Sequence, residues 1–308
     1  MIDVQRLTKT YGDTRAVDDL SFAVRPGLVT GFLGPTGAGK STTLRMILGL
    51  DRPDSGTARI DGVEYRRHPA PLRSVGALLD AAEVHPARRA VPHLLSLAVT
   101  VGAGRDRVRE VLDLVGLTDV AHQRIGTFSL GMRQRLGIAA ALLGDPGVVV
   151  LDEPVNGLDP DGVVWVRRLM RRLAAEGRTV LVSSHLMSEM ARTADHLVVV
   201  GQGRLLADMP TAELIASSGS TLVVSSLRLD ELLPHLWRAG AELVGREGDT
   251  AELRDVDGDQ VATLALEHGI PVRELHQRER SLEQAFMDLT HASVQYQGAT
   301  VSREKVPA

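Results

Sequence analysis

Gly34-Pro35-Thr36-Gly37-Ala38-Gly39-Lys40-Ser41-Thr42 lies between an apolar run and a helical pattern, and its reading decides the fold. The segment fits G-x-x-x-x-G-K-S/T, the phosphate-binding loop, in which backbone N–H groups cradle phosphate oxygens, Lys neutralises them and Ser or Thr holds Mg2+. Upstream, Leu28 to Leu33 reads as a short strand; downstream, Lys40 to Leu50 carries Leu44, Ile47 and Leu48 at helical spacing. A strand, a glycine-rich loop and a helix N-terminus let the helix dipole and free amides face an anion. All nine residues of the loop are candidate nucleotide contacts. Gly34, Gly37 and Gly39 serve backbone approach, Lys40 the β and γ phosphates, and Ser41 the metal. ATP and Mg2+ are the expected ligands, and ATP hydrolysis is the expected reaction.

At 308 residues the chain is long enough for one large α/β domain and a smaller one. Apolar residues at 44% can fill a core, and 3% aromatics makes that core aliphatic. Lys and Arg total 35 against 39 Asp and Glu, and the net charge of −4 offers no global basic surface for nucleic acid. The absence of cysteine excludes disulfides and thiolate metal sites and fits a reducing compartment. Crossing a bilayer takes about 18 apolar residues, and the longest comparable stretch, Leu136 to Gly144, is about half that. Met1-Ile2-Asp3-Val4 lacks the basic-then-apolar order of a signal peptide, so a cytoplasmic location is expected.

Val148 to Leu151, bounded upstream by Gly144-Asp145-Pro146-Gly147, suits a central parallel strand buried on both faces. Asp152 and Glu153 follow at its carboxyl end, where open α/β sheets bind ligands. Asp152 is placed to reach Mg2+, and Glu153 to act as base or orienter for an attacking water. Asn156-Gly157-Leu158-Asp159-Pro160 reads as a tight turn with Asp159 as helix cap and Pro160 at the first helical position. The helix from there to about Glu176 is expected to bury Val163, Val166, Leu169, Met170 and Leu173, with Arg167, Arg168, Arg171 and Arg172 on a solvated face. Thr179 to Ser183 reads as another buried strand, ending at Ser184-His185. His185 then shares an edge with Asp152 and Lys40 and can register the γ-phosphate. Ser129 caps a further helix, with Met132, Leu136, Ile138, Ala139, Leu142 and Leu143 as its apolar face.

Taken in order, these segments resemble the nucleotide-binding subunit of ATP-binding cassette (ABC) transporters over residues 2 to 215. The resemblance implies an α/β P-loop ATPase domain, with a mixed sheet core and a helical subdomain at about 84–144, over residues 1–216. Tyr11, in Thr10-Tyr11-Gly12, matches the aromatic position that stacks on adenine. Lys40, Ser41, Asp152, Glu153 and His185 take the roles given above. Ser129 and Gly131 match the signature that covers the γ-phosphate of a second copy, so each site is complete only in a closed dimer. Asp159 matches the turn that communicates between the two sites. A separate integral membrane permease is implied, which places the chain peripherally on the inner face of the cell membrane.

Three departures stand out. The signature reads Phe128-Ser129-Leu130-Gly131-Met132, so Leu130 and Met132 replace a small and a polar residue. Asp80, after Ser74-Val75-Gly76-Ala77-Leu78-Leu79, stands where the family usually has a Gln, as a candidate metal ligand that adds negative charge near triphosphate. Val155 replaces a small hydroxyl residue. The signature with its Arg133-Gln134-Arg135, the acid at 80 and a tail ending in Ser281-Leu282-Glu283-Gln284-Ala285-Phe286 are similar to daunorubicin- and bacitracin-type drug-resistance exporters. About fifty residues between Asp80 and Ser129, with helices at Val91 to Val101 and Val108 to Gly116, leave no room for the long coiled coil of DNA-repair relatives. Each motif occurs once, unlike the paired cassettes of translation factors. A transporter subunit ranks first, a soluble regulatory ATPase second and a non-hydrolytic nucleotide sensor third.

Beyond Ser217-Ser218-Gly219-Ser220 the pattern changes. Thr221 to Ser225, Leu229 to Ala239, Ala241 to Arg246, Thr250 to Asp255, Gln260 to His268 and Pro271 to His276 read as β-α-β-β-α-β, the ferredoxin-like plan. This C-terminal α+β domain, 217–292, closes with a helix from Ser281 to Thr290 and is expected to regulate or dimerise. His235, His268 and His276 read as scattered surface or core residues, and 293–308 as a frayed polar tail.

Overall fold

Short aliphatic runs alternating with helices can bury both faces only by lying side by side under a helical cover. The computed structural model, which describes residues 1–80, 84–217, 219–279 and 281–290, has this arrangement. The first elements are β1 (Ile2–Tyr11), β2 (Thr14–Val24), β3 (Val29–Leu33), α1 (Lys40–Ile47), β4 (Ser55–Ile60), α2 (Pro71–Ser74) and β5 (Val75–Leu78). Next come α3 (Ala90–Thr100), α4 (Arg105–Leu114), α5 (Leu130–Leu142), β6 (Val148–Asp152), α6 (Pro160–Ala175), β7 (Thr179–Ser183), α7 (Met187–Thr193), β8 (His196–Gly201) and β9 (Arg204–Pro210). The chain continues through α8 (Thr211–Ser217), β10 (Ser220–Ser225), α9 (Leu229–Arg238), β11 (Glu242–Glu247), β12 (Thr250–Arg254), α10 (Gly258–Glu267), β13 (Glu274–Glu279) and α11 (Leu282–Thr290). Met1–Thr211, with Leu289 and Thr290, form one compact unit, and Ala212–Asp288 a second.

In the first unit a six-stranded sheet runs β5-β6-β7-β3-β8-β9. All its pairings are parallel except β8 with β9. Every residue of β3 and β7 is buried. Register places Phe32 and Asp152 each beside Ser183, so the carboxyl ends of β3, β6 and β7 share one edge. A second sheet, β2-β1-β4, is antiparallel and shares a core with the first. Phe22 of β2 stacks on Phe32 of β3 with ring centroids 5.3 Å apart, an arrangement worth about 0.5–1.5 kcal/mol beyond burial. The helical segment α3–α5 is held partly by Arg107 of α4, whose guanidinium donates to the carbonyls of Leu142 at 2.6 Å and Leu143 at 3.3 Å.

Not all of the expected solvated face on α6 is solvated. Arg167 is half-buried within 3.8 Å of Glu189, and Arg171 donates to the backbone oxygen of Arg192, because α7 packs along α6 there. Val163, expected in the core, is only half-buried.

The second unit is a four-stranded antiparallel sheet, β11-β12-β10-β13, with α9 and α10 packed on one face through Leu222, Val224, Leu232, Leu236, Leu253 and Val261. That order is the ferredoxin-like plan. Its last strand starts at Glu274 rather than Pro271, because pairing with β10, Ser225 to Glu274 through Ser220 to Glu279, sets its position. His235 and His268 are not scattered: their rings stack 3.6 Å apart, and burial, His268 and Arg238 together hold the His235 pKa down. The polar tail expected from 293 lies outside the described residues. Among the described residues no helix is long and apolar enough to cross a membrane.

Candidate nucleotide site

The loop from Gly34 to Gly39 joins the buried end of β3 to the first turn of α1, and its glycines are required by the chain itself. A Cβ on Gly34 would lie 2.5 Å from the Val200 carbonyl oxygen, and one on Gly39, whose φ is +92°, 2.2 Å from that of Ala16. Ala38 is buried, Pro35 half-buried, and Thr36 and Gly37 form an exposed rim. The first turn of α1 contains no acidic residue of its own, which leaves its unpaired amides available to an anion. Lys40 is half-buried, and its Nζ donates to the carbonyls of Gly34 at 2.5 Å and Pro35 at 3.1 Å. Burial lowers its pKa, opposed by the charges of Glu153 and Asp152.

The acidic side of the site is built at the ends of β6 and β7. Ser41 Oγ donates to Asp152 Oδ2 at 3.1 Å. The buried Ser183 hydroxyl donates to Asp152 Oδ1 and accepts from the Glu153 N–H at 3.0 Å. Glu153 has φ +49°, a left-handed conformation costing a residue with Cβ about 1–2 kcal/mol. Its carboxylate accepts from His185 Nδ1 at 2.8 Å, and its carbonyl accepts from Gln134 Nε2 at 3.0 Å. Lys40, Ser41, Asp152, Glu153 and His185 therefore gather at one sheet edge. Ser183 and Gln134 belong to the same cluster and were not singled out from sequence. The available signals were a hydroxyl closing a strand and an amide on an otherwise apolar helix stripe.

The remaining candidates lie around this centre. Tyr11 ends β1, 47% exposed as a residue, and its hydroxyl donates to Asp51 Oδ2 at 2.9 Å. Burial and Asp51 raise the phenol pKa, while the Arg45 guanidinium, 2.8 Å from Asp51, holds that carboxyl low. The Lys9 ammonium lies 5.2 Å from the Tyr11 ring centroid. Asp80 is exposed two residues past the end of β5, the neighbour of β6, on the same edge as Asp152. Asp159 caps α6, accepting from Gly162 N–H at 2.9 Å. Ser129 caps α5, accepting from Met132 N–H at 3.1 Å, and a Cβ on Gly131 would meet the Gly157 carbonyl oxygen at 3.0 Å. Among the described residues, no hydrogen bond or ion pair joins Ser129 or Gly131 to the phosphate loop of the same chain.

No group of three or more His, Cys, Asp or Glu among the described residues could hold a metal alone. One hydroxyl and one carboxylate fit Mg2+, which takes one or two protein oxygens and completes its shell with phosphates and water.

A family model described as "ABC transporter" matches residues 17–156, and one described as "Domain of unknown function (DUF8746)" matches 220–283. The bacitracin transport ATP-binding protein BcrA of Bacillus licheniformis is 42% identical over 213 residues, 68% of this chain and 70% of that protein. The daunorubicin/doxorubicin resistance ATP-binding protein DrrA of Streptomyces peucetius is 36% identical over 304 residues, 94% of this chain and 92% of that protein. A dimeric ATP-binding cassette solved in a post-hydrolysis state with ADP and Pi covers 68% of this chain and 99% of its own, with TM-score 0.63 and 25% identity. With a phosphate loop and acidic edge built as described, and relatives matching along nearly its whole length, the chain belongs to the ATP-binding subunits of ABC transporters and is an ATPase of that family.

Proposed function

We propose that this subunit powers a separate membrane permease exporting drug- or antibiotic-like small molecules, through ATP-driven closure of two copies on the inner face of the cell membrane. The observation that carries the reading is the convergence of Lys40, Ser41, Asp152, Glu153 and His185 at one sheet edge. Relatives named for bacitracin transport and daunorubicin resistance support the cargo class.

In this reading the loop from Gly34 to Thr42 and the first amides of α1 hold the phosphates, and the Tyr11 ring face away from Lys9 stacks on adenine. Triphosphate returns to the Lys40 ammonium the charge stabilisation that burial removes. Ser41 and Asp152 would hold Mg2+, with Asp80 as a further oxygen donor on the same edge. Held there, Mg2+ would supply positive charge against the charge that develops on the phosphate. Glu153 accepts the proton of the water that attacks the γ-phosphorus as the bond to ADP breaks. His185 is hydrogen-bonded to Glu153 through Nδ1, and it contacts the γ-phosphate by donating from an Nε2–H, both ring nitrogens carrying a proton. Ser129 and Gly131 of the second copy close over that phosphate, and Asp159 lies in the turn between the two sites. The cassette is proposed to span 1–216, and the domain at 217–292 to regulate or dimerise.

The test is self-association of Glu153→Gln followed by sedimentation with and without Mg-ATP. A dimer that forms only with ATP, with turnover reduced at least about a hundredfold, is expected. A monomer that still binds ATP, in the presence of its permease as well as alone, would overturn the shared site.

A further inference from the structure

Gln134 is the one polar residue among the buried positions of α5, and it is only 5% exposed. An amide is buried at a cost unless it is hydrogen-bonded, and its Nε2 donates to the Glu153 carbonyl oxygen at 3.0 Å. The same oxygen accepts from Asn156 N–H at 3.2 Å, so both lone pairs are engaged. On the other side of the residue, the Glu153 N–H faces the Ser183 carbonyl at 3.2 Å and the Ser183 hydroxyl at 3.0 Å. Both peptide groups of a residue at φ +49° are thereby clamped, and that conformation persists only where surrounding contacts hold it. Because the backbone angles set the direction of Cβ, the clamp also aims the carboxylate, which meets His185 at 2.8 Å.

We propose that Gln134 is a positioning residue for ATP hydrolysis: its amide holds Glu153 in the left-handed conformation and ties it to the helix that begins at Ser129. The proposal rests on Glu153 acting as the base. Gln134 lies five residues beyond the Ser129 cap, about 8 Å along a helix that moves as one piece. The α5 N-terminus also packs on the turn after Glu153, where a Cβ on Gly157 would lie 2.3 Å from Leu130 Cδ2. A displacement of Ser129 is therefore passed to the base of the same chain through one hydrogen bond. Closure of a second copy over Ser129 is felt at this chain's own site as well as at the partner's.

The test compares full-length Gln134→Leu, Gln134→Glu and Glu153→Gln with the unaltered chain. Leu keeps the bulk and removes the donor, so kcat falls about fivefold to tenfold while KM and the affinity for a fluorescent ATP analogue stay within about twofold. Glu donates only when its carboxyl is protonated. Its turnover, as a ratio to the unaltered chain at each pH, climbs several-fold from about pH 8 to about pH 6, and the Leu ratio stays flat. Unchanged kcat in Gln134→Leu, or a flat ratio in Gln134→Glu, overturns the proposal. If the Leu variant does not fold, the pH ratio of the Glu variant decides alone. Normal turnover in Glu153→Gln would remove the base itself, whereas turnover lost there but kept in Gln134→Leu removes only the tie to α5.

Discussion

Replacing Gly39 with Ala is expected to destabilise the cassette before nucleotide is considered. At φ +92° a residue with Cβ enters left-handed space at about 1–2 kcal/mol. The new Cβ would lie 2.2 Å from the Ala16 carbonyl oxygen and 3.3 Å from Val17 Cγ2. Carbon–oxygen contacts settle near 3.3 Å, so something must move by about 1 Å. Neither side yields easily. Ala16 lies within β2, two residues before Asp18, whose N–H donates to Gly203 O at 2.9 Å, and the Gly39 carbonyl accepts from both the N–H and the hydroxyl of Thr43 at 2.9 Å. Overpacking of this kind costs about 1–3 kcal/mol, which brings the total to about 2–5 kcal/mol. At about 2–4 °C per kcal/mol for a unit of this size, the cassette transition falls by about 10 °C. Scanning calorimetry without nucleotide measures this, read on the cassette transition because two compact units can melt separately. Gly147→Ala is the control: its φ is not positive and nothing lies within 4 Å of a Cβ there, so its transition should stay within about 2 °C. A Gly39→Ala chain that melts with the unaltered protein yet loses ATP would refute the packing argument and leave phosphate approach as the only requirement.

Asp159→Ala removes the α6 cap and should cost about 1 kcal/mol, whereas Asp159→Asn keeps an acceptor for Gly162 and the melting temperature. Equal losses in the two variants would show that charge, not capping, is what stabilises the turn. His93 has its pKa held below 6.5 by burial and by Arg88, and its Nδ1 has no hydrogen-bond partner among the described residues. The unfolded chain therefore binds the proton more readily, so stability is complete above pH 6.5 and declines as pH falls toward the folded value. His93→Leu should flatten that decline in urea titrations at about pH 7.5 and about pH 5.5; an unchanged slope would assign the loss to other groups.

The central sheet and the phosphate side of the site were legible because their signals are local. β3, β6 and β7 are largely apolar runs that end at the candidate residues, and the loop is a contiguous pattern with fixed chemistry at each place. Interactions that join distant segments left no comparable mark. Gln134 and Ser183 reach Glu153 backbone atoms 19 and 30 residues away, and a backbone partner imposes no residue type that a pattern could reveal. The Tyr11–Asp51–Arg45 chain spans 40 residues, and the His235–His268 stack depends on how α9 meets α10. β13 has one apolar residue, Leu275, in six, so only its pairing with β10 locates it.

Leu130 shows why residues that look anomalous singly make sense in pairs. Its bulk stands where the family favours a small residue, yet a Cβ on Gly157 would lie 2.3 Å from its Cδ2 and 2.4 Å from its Cγ. The leucine occupies the space that a side chain at 157 would need, and Gly157, at φ +74°, has none to offer. Reciprocally, Gly131 lets the Gly157 carbonyl oxygen approach to 3.0 Å of where a Cβ would stand. Two glycines and one leucine thus interlock the start of α5 with the turn before α6, while 49% of Leu130 stays exposed beside Ser129. The turn runs from Glu153 to the Asp159 cap, and Gln134 binds its first residue from the same helix. On the coupling proposed above, a force on Ser129 is shared between a packing contact at Gly157 and a hydrogen bond at Glu153, so Glu153 and the turn respond together.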